Sequence, residues 1–92
     1  MTYQQILFID EDPEILDVVS RRLSGLGYRV VAAQSADEAR RVASEVHPSL
    51  ILIDRGLPGD GEMSRRILSA LKQDPAVSQI PVMMTSARKM SA

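Results

Sequence analysis

The chain has 92 residues, 45% hydrophobic and 25% charged, which is ordinary globular composition for one small domain spanning 1–92. Eleven basic residues against twelve acidic ones give a formal charge of −1, without the basic excess of a nucleic-acid binder. The absence of cysteine excludes disulfides and thiolate metal sites, and no apolar run approaches the length of a membrane span.

The first residues, Met1-Thr2-Tyr3-Gln4-Gln5, lack the basic stretch and long apolar core of a signal peptide. A cytoplasmic domain that touches neither membrane nor nucleic acid is expected. Only Tyr3, Phe8 and Tyr28 are aromatic, so Ile, Leu, Val, Ala and Met must build the core.

Ile6-Leu7-Phe8-Ile9 is a continuous apolar run, the pattern of a strand buried on both faces. Asp12-Pro13-Glu14 then reads as a helix start, with Asp as cap, Pro at the first helical position and Glu at the positive dipole end. Ile15, Val18, Val19, Leu23 and Leu26 give that helix one apolar face, and Gly25 and Gly27 stop it. Val30-Val31-Ala32-Ala33 is a second short strand. Ser35 and Glu38 frame a capping box for a second helix, whose buried stripe is Ala39, Val42, Ala43 and Val46.

Leu50-Ile51-Leu52-Ile53 is a third strand and leads directly into Asp54. A Gly- and Pro-rich loop follows from Gly56 to Gly61, then a third helix carrying Met63, Ile67, Leu68 and Leu71 and broken by Asp74-Pro75. Pro81-Val82-Met83-Met84-Thr85 is the fourth strand. The order βαβαβαβ demands a parallel α/β sheet with right-handed crossovers and helices on both faces. Ligands of such sheets bind at the carboxyl ends of the strands.

Those ends carry chemistry: Asp10-Glu11 after the first strand, Asp54 after the third, and Thr85-Ser86 after the fourth. The second ends in Ala33-Gln34, which offers little. With the first and third strands adjacent, three carboxylates meet in one cleft. Two ionised carboxylates about 4 Å apart repel by roughly 4 kcal/mol at an effective dielectric of about 20. Such a cluster raises its own pKa values or recruits a cation, and an oxygen-only, partly hydrated site suits Mg²⁺. A carboxylate beside that metal can attack a phosphoryl group, and the Ser86 or Thr85 hydroxyl can donate to the product phosphate. Any single strand-end Asp is more often a cap, as Asp12 is expected to be.

Three segments together resemble bacterial response-regulator receiver domains. They are residues 6–16 with Asp10-Glu11-Asp12-Pro13, residues 50–61 with Asp54, Leu57-Pro58 and Asp60-Gly61, and residues 80–87 with Thr85-Ser86-Ala87. The resemblance implies a flavodoxin-like (CheY-like) sheet of strand order 2-1-3-4. It also implies that Asp54 accepts phosphate from a histidine kinase or phosphotransfer protein. Glu11, Asp54 and the Gly56 carbonyl would hold Mg²⁺, with Asp10 acting largely through water. Ser86 matches the switch hydroxyl, Thr85 lying one position too early. Such a domain is a signalling switch rather than a conventional enzyme.

Two departures stand out. Only Gly59 separates Pro58 from Asp60-Gly61 where the family usually has two residues, which bears on the Gly56 carbonyl. The sequence is also expected to lack the family's final helix, strand and helix, together with its phosphate-holding lysine; Lys89 reads as a solvated surface residue. The fourth strand is then an open apolar edge, from which a homo-oligomer is expected.

The competing reading is a pseudo-receiver, the same fold used as a phosphorylation-independent interaction or dimerisation module. An aspartyl phosphatase, with nucleophile Asp10 and partner Asp12, is a weaker third. His47 and the pairs Arg21-Arg22, Arg40-Arg41 and Arg65-Arg66 read as exposed surface, and the five methionines as core filling.

Overall fold

The computed structural model describes residues 4–54 and 62–85. In chain order they form β1 (Gln5–Ile9), α1 (Pro13–Gly25), β2 (Arg29–Ala33), α2 (Ala36–Val46), β3 (Leu50–Asp54), α3 (Glu62–Gln73) and β4 (Val82–Thr85). All strand pairs are parallel, in the order β2-β1-β3-β4. The expected α/β architecture and strand order are therefore both present.

Right-handed crossovers decide where the helices lie. The chain moves one way from β1 to β2 and the other way from β2 to β3 and from β3 to β4. Handedness then places α1 on one face and α2 with α3 on the other. The contacts agree: α1 packs on β1 and β2, while α2 touches α3 as well as the sheet.

The α2–α3 face holds the core. Leu7 and Ile9, Ile51 and Ile53, and Ala33 pack with Ala39, Ala43, Ile67 and Leu71, all essentially buried. Alanines at the contact positions of α2 let the helix sit close to the sheet. Val77, in the turn after α3, closes the same cluster. That turn is built on Asp74, whose carbonyl accepts from the Val77 and Ser78 amides and whose Oδ1 accepts from the Ala76 amide. Lys72 Nζ donates to the carbonyls of Ser78 and Ile80 at 3.2 Å and fixes the approach to β4.

The α1 face is thinner. Ile6 and Phe8 are buried there, and Leu16 is the buried residue of α1. Val18 and Leu26, expected on the apolar face, are instead 57% and 74% exposed. Apolar residues spread over nearly half of this helix's circumference, and the sheet selects the arc of Leu16, Val19 and Leu23. Val18 is left nearly opposite. Leu26 lies past the last helical residue, in the cap.

Local signals operate largely as expected. Asp12 caps α1 by accepting from the Glu14 amide at 2.9 Å, with Pro13 at the first helical position. Gly27 takes φ +97°, the left-handed conformation that glycine adopts without strain, and turns the chain into β2. Ser35 Oγ accepts from the Glu38 amide, while Glu38 Oε1 reaches back to the amide of Gln34, one residue earlier than in an ordinary capping box. His47 ends α2 at φ +46°, a non-glycine residue in the left-handed region. It is exposed, as expected.

Candidate functional site

The strand order reverses between β1 and β3, and the carboxyl ends of those two strands carry Asp10 and Asp54. Ile9 pairs with Ile53, so Asp10 and Asp54 are the next residues on adjacent strands. Both are fully buried, at 0% exposure. Two acidic side chains enclosed together are costly while ionised, and this favours a cation or a proton between them.

Each is held by its surroundings. Asp10 extends the β1–β2 ladder, its amide donating to the Ala33 carbonyl at 3.1 Å. Its Oδ1 accepts from the Asp12 amide at 3.0 Å, so the loop into α1 orients this carboxylate. Asp54 is the last residue of β3, and its carbonyl accepts a 2.9 Å hydrogen bond from Ser64 Oγ in α3. Ser64 is 1% exposed. A buried serine in the first turn of α3 thus fixes the end of the strand that carries Asp54.

Asp12 is a helix cap, as expected. That occupation of its carboxylate weakens the phosphatase reading, which needs Asp12 as a partner of Asp10. Glu11 is exposed, and its carbonyl lies 3.4 Å from Gln34 Nε2. Gln34 therefore ties the ends of β1 and β2 together, a role its sequence position did not announce. Gly56, Ser86 and Lys89, and the segments Leu57-Pro58 and Asp60-Gly61, lie outside the described residues. Among the described residues, no three Asp, Glu, His or Cys side chains gather as a metal cluster. The fit to Mg²⁺ rests on Asp10 and Asp54: two hard oxygen donors for an ion that ordinarily keeps several waters and uses one or two carboxylates.

On the other side of β3, Asp54 pairs in register with Thr85 of β4. Among the described residues, Thr85 Oγ1 is buried without a hydrogen-bond partner. Ser64, Gln34 and Thr85 are the neighbours of the site that sequence reasoning passed over or set aside.

Residues 6–92 match the response regulator receiver domain family. The chain belongs to that family. It is 35% identical over 83 residues to the DNA-binding dual master transcriptional regulator RpaA of Synechocystis, covering 90% of this chain and 34% of that protein. It is 32% identical over 90 residues to the phosphate regulon transcriptional regulatory protein PhoB of Pseudomonas aeruginosa, covering 96% of this chain and 38% of that one. Among solved structures, the N-terminal domain of a response regulator receiver protein from Methanoculleus marisnigri superposes with a TM-score of 0.75 at 37% identity, over 87% of this chain and 63% of that one. The receiver domain thus spans little more than a third of the curated relatives it matches. Membership places it in two-component phosphoacceptor signalling. Among the described residues, no helix is long and apolar enough to cross a membrane.

Proposed function

We propose that this receiver domain, residues 1–92, is a phosphorylation switch in which Asp54 accepts a phosphoryl group from a histidine kinase or phosphotransfer protein. The observation that carries the reading is the pair of buried carboxylates, Asp10 and Asp54, at the reversal point of the strand order. Asp54 is assigned as the acceptor because its place after the third strand resembles that of the family's phosphate-accepting aspartate; the β4 register and Ser64 hold its backbone there. Its carboxylate oxygen bonds to phosphorus, the donor P–N bond breaks, and the donor imidazole leaves.

Asp10 and Asp54 would hold Mg²⁺, with Glu11 and the Gly56 carbonyl as the further ligands that the family resemblance implies; when bound, the ion offsets negative charge on the transferring oxygens. Asp10 is pre-oriented for this by the Asp12 amide. Ser86 is the switch hydroxyl that turns toward the phosphate and carries the charge change into the neighbouring loop. The domain acts as a switch rather than as an enzyme turning over a separate substrate. It works in the cytoplasm and binds no nucleic acid through this segment.

A second reading, a phosphorylation-independent association module, draws on one observation. β4 is an edge strand of the described sheet, and Met83 on it is 57% exposed. Exposed edges of this kind invite pairing with a second copy.

Intact mass after incubation with acetyl phosphate and Mg²⁺ tests the first reading. A phosphoryl adduct on the wild type and none on Asp54→Asn is the expected result. A folded, Mg²⁺-binding protein that takes up no phosphoryl group overturns it and leaves association as the function. A monodisperse monomer in sedimentation at micromolar concentration would sink the second reading.

A further inference from the structure

We propose that Thr85 is a second hydroxyl donor to the phosphoryl group on Asp54, one position before the switch residue Ser86; this rests on the phosphoacceptor reading above. The register pairs Asp54 with Thr85 directly. Partners in adjacent parallel strands present their side chains on the same face, with backbones about 4.8 Å apart. The alternation in β4 agrees, because Val82 and Met84 pack against the α2–α3 core and so leave Thr85 on the opposite face.

The state of the Thr85 hydroxyl makes this more than adjacency. Among the described residues its oxygen is buried yet has no hydrogen-bond partner, the Asp54 carboxylate included. A buried hydroxyl without a partner destabilises a fold, and a strand that reads Val-Met-Met-Thr would be served equally well by valine at that place. The protein holds a donor where its resting state has no use for one. A phosphoryl group on Asp54 brings new charged acceptor oxygens next to that donor.

No proton passes through Thr85 in this role. When acetyl phosphate is the donor, the Asp54 oxygen bonds to phosphorus, the acetate P–O bond breaks and acetate departs. Thr85 keeps its proton and hydrogen-bonds to a phosphoryl oxygen. It is a positioning and stabilising residue for the phosphorylated state.

The test uses beryllofluoride with Mg²⁺ as the phosphoryl mimic, titrated by ¹⁹F NMR into the wild type, Thr85→Val and Thr85→Ser. Thr85→Val should bind the mimic about tenfold more weakly, the scale of a hydrogen bond to a charged acceptor, with Thr85→Ser within about threefold of wild type. Without ligand, Thr85→Val should be as stable as wild type or more so, because it removes an unsatisfied hydroxyl and keeps the shape. A loss below about threefold in Thr85→Val overturns the proposal. So does an equal loss in Thr85→Ser, or a loss accompanied by lowered stability of the unliganded valine variant; each makes the residue's role one of packing. A wild type that neither binds the mimic nor forms the Asp54 adduct overturns the phosphoacceptor reading, and the Thr85 role falls with it.

Discussion

Ser64 Oγ in α3 donates a 2.9 Å hydrogen bond to the carbonyl of Asp54, the last residue of β3. Both residues are buried, so the bond has no competition from water. Ser64→Ala leaves that carbonyl without its donor and should destabilise the domain by about 1–2 kcal/mol in urea denaturation. A change within about 0.3 kcal/mol would mean that α3 does not hold the strand end.

The burial of Asp10 and Asp54 at neighbouring strand ends makes a prediction about stability and metal. Mg²⁺ at about one hundred times its dissociation constant should stabilise the wild type by about 2.7 kcal/mol. Asp54→Asn removes one of two enclosed charges, so without metal it should be at least as stable as wild type. It should lose most of the Mg²⁺-induced shift. Equal shifts in wild type and variant, read from thermal melts, would place the metal elsewhere.

The rotation of α1 is open to a paired test. Leu16→Ala empties a buried position and should cost about 2–4 kcal/mol. Val18→Ala, on the exposed side, should stay within about 0.5 kcal/mol of wild type. Similar losses for the two would return Val18 to the buried face.

His47 closes α2 with a positive φ that an L side chain adopts at a cost of about 1–2 kcal/mol. His47→Gly relieves that strain and gives up some unfolded-state entropy, for a net gain of about 0.5–1 kcal/mol. A lowered melting temperature would show that the imidazole contributes more than its exposure implies.

The element order and the sheet were readable because parallel strands buried on two faces leave short continuous apolar runs, as at residues 6–9 and 50–53. Asp10 and Asp54 were readable as candidate site residues for a related reason: acidic side chains that follow such runs have no packing purpose. The orientation of α1 was not. Ile15, Leu16, Val18, Val19 and Leu23 satisfy more than one helical face, and only contact with the sheet selects Leu16. Ser64 was hidden because a serine near a helix start usually reads as a cap, and its partner lies ten residues back on a strand. Thr85 was set aside by its offset from the family's switch position; only the register with Asp54 and its unmet hydroxyl give it a role. Gly56 and Ser86 rest on resemblance, since they lie outside the described residues.

The unequal covering of the two sheet faces has a consequence for how the domain breathes. With Leu16 as the buried residue of α1, the amides of that helix should exchange with deuterium through openings well below the free energy of global unfolding, while those of β1 and β3 wait for global unfolding. The loop into α1 is tied to Asp10 through the Asp12 amide, so opening of the helix loosens one wall of the acidic cleft. A cation that grips Asp10 would then slow deuterium uptake along α1. The helix expected to open first would then be the part of the molecule that reports whether the cleft is filled.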